Sequence, residues 1–356
     1  MTDIQATLSE VLAAAASDRG VVSASLVPHA GAEPETVWIP ESGHEPAFLA
    51  YSITKIFLAV LVLRLCEERR MGLDDRLVRW FPHIAGADRI SIRQLLNHTA
   101  GIPDYGGMSA YHDSVRATPS SPWSFERFAV ETFDQGLRFE PGEGWAYSNP
   151  GYMLVKRIVE EVSGESFRCL VVERIAKPLG LRRTFVAESL QDLASLTPGM
   201  SRVLSPDGGP RDVRQHYHPA WVSHGVIAST SSELVRFLDR LFSGRLLSAD
   251  SLDQMTALVA VSVDPPPQGG RPSYGLGLMG DPASSLGLLL GHNGGGPCYG
   301  ASAFHATALN GASACVMGAI EDDFRPEEVV REVLHRLADG RNGRAAVGLR
   351  LGCRSQ

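Results

Sequence analysis

AYSITKIFLAVLVLRL, residues 50–65, sets Ser52 and Lys55 at the head of a long apolar run. The run predicts a buried helix, and it makes the lysine an anomaly. The first turn of a helix carries partial positive charge from unpaired N–H groups, so carboxylates are favoured there and ammonium groups are not. A capping box would place Glu or Gln three residues after Ser52; Lys55 stands there instead. Lysine is scarce in this chain, with Lys55, Lys156 and Lys177 the only three among 33 basic residues. Its placement therefore calls for a chemical reason. One helical turn brings the amine over the Ser52 hydroxyl, close enough to take its proton. Burial beside apolar residues and the unfavourable helix dipole both push the lysine pKa down, toward a neutral amine that can act as a base.

Around this stretch the pattern changes twice. Residues 4–17 read as an amphipathic helix, followed by short β-like segments near 21–27, 36–40 and 48–51. From the Ser52 helix to about residue 220 the pieces are helical: ISIRQLLNHTAGIPDY, SFERFAVETF, GYMLVKRIVEEVSG and SFRCLVVERIAKPLG. That middle reads as all-α. After a loop rich in Pro, Gly, Asp and Arg comes a helix in SSELVRFLDRLFSG. Then SYGLGLMG, LGLLLGHNG, YGASAFHATAL and ASACVMGAI predict an antiparallel meander. A last helix opens at Pro326, Glu327 and Glu328 and is predicted to stop at Gly340, leaving 341–356 as a poorly ordered tail.

Composition excludes several classes. A net charge of −7 and a pI near 5.9 argue against nucleic acid as a partner. The amino terminus lacks a basic region followed by an apolar core, and the longest apolar run, residues 56–63, is too short for a bilayer. The expectation is a soluble, cytoplasmic protein with no membrane partner. Cys66, Cys169, Cys298, Cys315 and Cys353 are odd in number and scattered, which gives neither a disulfide framework nor a zinc site. His216, Tyr217, His218 and His224 lie in a polar loop without ligand spacing, so no metal or other cofactor is expected.

Two further segments carry candidate chemistry. PGEGWAYSNPGYMLV holds Tyr147, Ser148 and Asn149, with Asn149 as predicted N-cap and Pro150 at the first helical position. GHNGGGPCYG holds His292, Asn293, Gly294 and Gly295 at a strand end, where glycines allow close approach of a ligand to backbone N–H groups. His98 and Asp104 in NHTAGIPDY suggest a Ser-His-Asp triad, but no G-x-S-x-G elbow accompanies them.

In this order, Ser-x-x-Lys, Tyr-x-Asn and a late basic-x-Gly strand resemble the serine β-lactamase and penicillin-binding-protein superfamily, and more closely its class C β-lactamase-like branch. The resemblance covers roughly residues 45–335 and includes LLNHTAGIPDY, IAKPLGLRRT and YGLGL. It implies an α+β fold of the β-lactamase/transpeptidase type, an antiparallel sheet flanked by helices with an inserted all-α subdomain. The expected division is 1–65 with 222–340 for the α/β part and 66–221 for the helical part. It also implies Ser52 as acylated nucleophile, Lys55 as proton acceptor and Tyr147 as general base or proton shuttle. Asn149 would hold Lys55 or a substrate carbonyl, and the N–H groups of Ser52 and Gly295 would form the oxyanion hole. His292, Gly294 and Gly295 would border the substrate, and NHTAGIPDY would be a structural turn.

Two departures from the branch stand out. His292 replaces the lysine of true β-lactamases, which leaves less positive charge for a substrate carboxylate. Ser223-His224-Gly225 stands where the branch usually shows a Gly-Gly pair. The favoured expectation is an acyl-enzyme carboxylesterase for a small ester substrate. Readings that share its chemistry are a β-lactamase, a D-amino-acid peptidase or amidase, and an acyltransferase. A reading of another class is a non-catalytic binding homologue. Oligomeric state is not legible.

Overall fold

The structure, a computed structural model, describes residues 3–16, 20–41, 43–261, 272–321 and 324–351. Its centre is an eight-stranded antiparallel sheet. From one edge the order is Glu35–Ile39, Val21–Val27, Ala312–Ala319, Tyr299–Ala306, Leu289–Gly295, Met279–Asp281, Ser273–Tyr274 and Val259–Ala260. The predicted meander supplies most of it, and from the amino-terminal end Val21–Val27 pairs with the last strand, Val21 opposite Ala319, while Glu35–Ile39 pairs with Val21–Val27 at the edge.

Alternation along Val21–Val27 separates the two faces of this sheet. Val22, Ala24 and Leu26 pack with Leu8, Leu12, Val330 and Leu334 of the two terminal helices, Asp3–Ala15 and Pro326–Leu351. Ser23 and Ser25 point the other way, each 2.7 Å from the Ser231 hydroxyl at the head of the helix Ser231–Phe242. Beyond that helix lies Thr54–Glu67, buried on nearly all sides as its uniform apolarity requires, with Phe57 stacked on Phe237 at 3.9 Å.

The region 66–221 carries the helices Ile92–Leu96, Ser109–Ala117, Phe125–Phe133, Asn149–Ser163 and Phe167–Val171, but it is not all-α. Phe185–Ala187 pairs with Val226–Thr230, which also pairs with Ala47–Leu49. Met200–Ser201 pairs with Arg211–Asp212. Strands of two or three residues are too short to display a period of two, so the sequence pattern misses them. The terminal helix also departs from expectation, running through Gly340 to Leu351. The Ala, Leu and Arg residues of that stretch are strong helix formers, and the helix carries Gly340, Gly343 and Gly348 among them. Residues 352–356, part of the expected disordered tail, lie outside the described residues. No helix of the described residues is long and apolar enough to cross a membrane.

The helix Thr54–Glu67 does not start on Ser52. Ser52 lies in the tight turn Tyr51–Ile53 that precedes it, and the N-cap, Ile53, has no side-chain cap bond. The turn is held from two sides instead. Ala50 N–H donates to the Ile227 carbonyl at 2.8 Å, and Ile227 N–H donates to Thr54 Oγ1 at 2.9 Å. Opposite, the strand Leu289–Gly295 presses on the turn so closely that a Cβ on Gly294 would lie 2.1 Å from the Ala50 carbonyl oxygen, while one on Gly295 would meet open space.

This contrast is testable by thermal unfolding followed by circular dichroism. Gly294→Ala should cost about 2 kcal/mol or more through backbone overpacking, whereas Gly295→Ala should melt within a degree or two of wild type. Equal melting temperatures would mean that the strand does not clamp the Ser52 turn.

Candidate active site

Strain marks the residue before the candidate nucleophile. Tyr51 has φ of +43°, a region that side-chain-bearing residues rarely adopt. Its hydroxyl donates to the Pro297 carbonyl at 3.0 Å, and its ring occupies the space where a Cβ on Gly296 would sit, 2.4 Å away. The anchored ring thus fixes the turn that presents half-buried Ser52 to a cleft.

Lys55 lies directly beneath that cleft and is 0% exposed. Its Nζ donates to Asn149 Oδ1 at 2.8 Å and lies 3.3 Å from Ser52 Oγ and 3.2 Å from His224 Nε2. It also sits 4.8 Å from the centre of the Tyr147 ring. Burial pulls its pKa from 10.5 to about 7, opposed by the attraction of Asp104. The amine can therefore reach the neutral state near neutral pH, as the anomalous first-turn lysine suggested.

The Tyr-x-Asn segment is built as a rigid bracket. The N-cap of the helix Asn149–Ser163 is Ser148 and not Asn149: Ser148 Oγ accepts from Gly151 N–H at 3.1 Å. The serine takes the cap because the chain turns one residue earlier, and Asn149 is left with its amide oxygen free for Lys55. Asp104 fixes it from behind, accepting from Asn149 N–H at 2.8 Å and from Gly106 N–H at 3.1 Å. His98, at φ of +63°, accepts from Ser148 N–H at Nδ1, and its ring lies 4.3 Å from that of Tyr147. His98 and Asp104 thus serve the bracket, and neither is placed as a triad partner of Ser52. Burial pushes the Tyr147 phenol pKa upward, with its interaction with Ser52 pulling back. A phenol so held stays protonated and suits the shuttle role better than that of a phenolate base.

The sequence-predicted strand residues divide. Gly295 is exposed and lines the cleft with Ser52, whereas Gly294 is buried against Ala50 and does not border substrate space. His292 also departs from its expected place. It is 0% exposed, with Nε2 2.8 Å from the Tyr274 hydroxyl and Nδ1 2.5 Å from the Asn293 carbonyl. Burial and the nearby Lys55 depress its pKa to about 3. It is a neutral support inside the wall, because a ring with no water contact cannot hold a proton beside an amine.

His224, read from sequence as a polar-loop residue, is 1% exposed and lies in the cleft wall against the Lys55 amine. Its replacement of a small residue in the expected Gly-Gly pair was the available signal. His216 and His218 bond locally, to Asp212 and Ala220, and the described residues contain no cluster of three or more His, Cys, Asp or Glu able to hold a metal.

The cleft encloses about 360 Å³. Tyr105, Tyr111, Val115, Tyr217 and Val222 form an apolar wall, and among the described lining residues Glu321 is the one carboxylate and there is no Lys or Arg. That Glu321 carboxylate is occupied by Ser201 Oγ and by the N–H of Arg202 at 2.7 Å.

Residues 10–314 match the beta-lactamase family. The chain belongs to it. Curated relatives include penicillin-binding protein 4* of Bacillus subtilis (strain 168), 28% identical over an alignment of 278 residues, with 70% of this chain and 55% of that protein covered. Another is the lovastatin esterase of Penicillium rubens, 27% identical over 246 residues, covering 61% of this chain and 60% of the esterase. The chain thus spans between half and two thirds of the length of these relatives. Among solved structures, a D-stereospecific amidohydrolase from Streptomyces sp. superposes with a TM-score of 0.79 at 29% identity, covering 92% of this chain and 97% of its own. The family and the fold stand as the motifs implied.

A neutral Lys55 has a consequence for stability. Between pH about 7 and 10.5 the unfolded chain holds a lysine proton that the native chain lacks, so this residue makes stability rise with pH across that window. Lys55→Met removes the contribution. Melting temperatures of wild type and Lys55→Met should therefore diverge in favour of wild type from pH 7 to pH 10, and a constant difference would contradict a buried neutral amine.

Proposed function

We propose that the protein is a serine acyl hydrolase that works through an acyl-enzyme on Ser52, and that its preferred substrates are carboxylic esters with short or medium acyl groups. The observation that carries this reading is the placement of one buried amine, Lys55, within reach of both Ser52 Oγ and Asn149 Oδ1 under a cleft. In the first step Ser52 Oγ attacks the acyl carbonyl and its proton passes to Lys55 Nζ. The N–H groups of Ser52 and Gly295 face the developing oxyanion. The proton taken up by Lys55 passes through the Tyr147 hydroxyl to the departing alcohol, so that the phenol ends the step protonated; a water molecule then attacks the acyl-enzyme, its proton returning through the same groups to Ser52 Oγ as the acid leaves.

The cleft lining supports an uncharged acyl group. With His292 neutral and no Lys or Arg among the described lining residues, none of these residues compensates the desolvation of a substrate carboxylate. That disfavours a β-lactam antibiotic or a peptide carboxyl terminus. The likeness to lovastatin esterase fits an ester substrate. A second reading, hydrolysis of D-amino acid amides, is favoured by the likeness to the D-stereospecific amidohydrolase and by Glu321, which would attract a substrate ammonium.

Incubation with a fluorophosphonate followed by intact-mass analysis should add one adduct to wild type and none to Ser52→Ala. An adduct on another residue would remove Ser52 from the mechanism. In steady-state assays with p-nitrophenyl butyrate, Lys55→Ala should lose on the order of 1000-fold in kcat and Tyr147→Phe about 100-fold or more. Higher kcat/KM on D-phenylalanine amide than on the ester would select the second reading, and preference for a chromogenic cephalosporin would overturn both.

A further inference from the structure

The Lys55 amine meets three groups, and their chemistry fixes where its lone pair points. Asn149 Oδ1 can only accept, and Nζ donates to it at 2.8 Å. His224 Nε2 lies 3.2 Å away on another side, and Ser52 Oγ lies at 3.3 Å on a third. A neutral amine has two hydrogens and one lone pair. If both hydrogens are taken by acceptors, the lone pair is left facing the Ser52 hydroxyl, which is the orientation proton abstraction needs. With only Asn149 accepting, the second hydrogen is free to rotate toward Ser52 Oγ, and the lone pair then faces away from the proton it must take.

For His224 to accept at Nε2, its ring proton must sit on Nδ1, and that atom is buried with no hydrogen-bond partner. An orphaned buried donor costs about 1–3 kcal/mol. A histidine retained only for packing would carry this cost for no return, since a smaller or apolar residue would avoid it. Its neighbours keep the ring uncharged: burial, Lys55, His292 and His98 all lower the His224 pKa. The other titratable groups around Lys55 are Asp104, His98, His292, Tyr147 and Tyr152, and among the described hydrogen bonds none of them gives its amine the second acceptor.

We propose that His224 is a positioning residue whose Nε2 accepts a hydrogen from Lys55 and thereby aims the lysine lone pair at Ser52. The proposal rests on Ser52 being the nucleophile. It gives a role to the departure Ser223-His224-Gly225, in which an imidazole stands where a small residue is usual in this branch.

Three variants separate position from packing. Gln places Oε1 near the site of Nε2 and keeps the acceptor, Asn is too short to reach Lys55, and Ala removes the ring. The rate of fluorophosphonate labelling at Ser52, followed by intact mass from pH 5.5 to 9.5, should fall 10-fold or more at the high-pH plateau in His224→Ala and His224→Asn. It should return to within about 3-fold of wild type in His224→Gln. Losing an acceptor also disfavours the ammonium form, so the midpoint of the labelling profile should move to lower pH in the Ala and Asn variants while the plateau drops. Thermal stability of His224→Ala should equal or exceed that of wild type. A reactive wild type whose plateau and midpoint survive in His224→Ala overturns the role of His224 alone. If that variant fails to fold, equal plateaus for the Gln and Asn variants overturn it as well. A wild type that takes no adduct removes Ser52 as nucleophile and this proposal with it.

Discussion

Removing one ammonium group from water is the constraint around which this molecule is arranged. Lys55 has no solvent exposure, and a buried charge without compensation is so costly that the group gives up its proton instead. The surroundings are tuned so that it does so near neutrality. Asp104 holds the pKa up while burial pulls it down, and the balance falls at about 7. Each structural oddity nearby follows from keeping that amine in place. The uncapped helix start leaves Ser52 in the preceding turn, Ser148 takes the cap so that Asn149 can face Lys55, and Tyr51 accepts an unfavourable backbone conformation to hold the turn.

The large sheet explains why the arrangement is rigid. Its strand Leu289–Gly295 meets the turn through glycines of different use. Gly294 permits backbone contact with Ala50, Gly296 makes room for the Tyr51 ring, and Gly295 faces open space at the cleft. On the opposite side the strand Val226–Thr230 fastens the same turn through Ala50 and Thr54. A serine clamped between two sheets in this way has little positional freedom to lose, which is the geometric condition that positional catalysis requires.

Much of this is legible in the sequence. The run after Lys55 announced a buried helix because it is apolar on all sides, and the meander announced itself by short β-rich segments between turns. The spacing of Ser52 and Lys55 predicted their contact at 3.3 Å. What escaped was decided by neighbours remote in sequence. Phe185–Ala187 becomes a strand only because Val226–Thr230 lies beside it. His292 reads as a site residue by position, yet the Tyr274 hydroxyl and the Asn293 carbonyl hold its ring inside the wall. His224 reads as a loop residue, and only the fold brings it 169 positions back to Lys55. Local pattern reports periodicity and caps; it does not report which buried polar groups will face one another.

The replacement of a lysine by His292 then acquires a physical sense. A second cation so near Lys55 would repel its proton further and would also draw anionic substrates into the cleft. A neutral imidazole bonded to Tyr274 does neither, and it leaves the described cleft lining without a Lys or Arg partner for a carboxylate. The same exchange that weakens the case for a β-lactam therefore leaves the tuning of Lys55 to Asp104, burial and its two acceptors. Substrate choice and base strength are coupled at this wall, because any charge that would recognise the substrate there would also be felt by the amine.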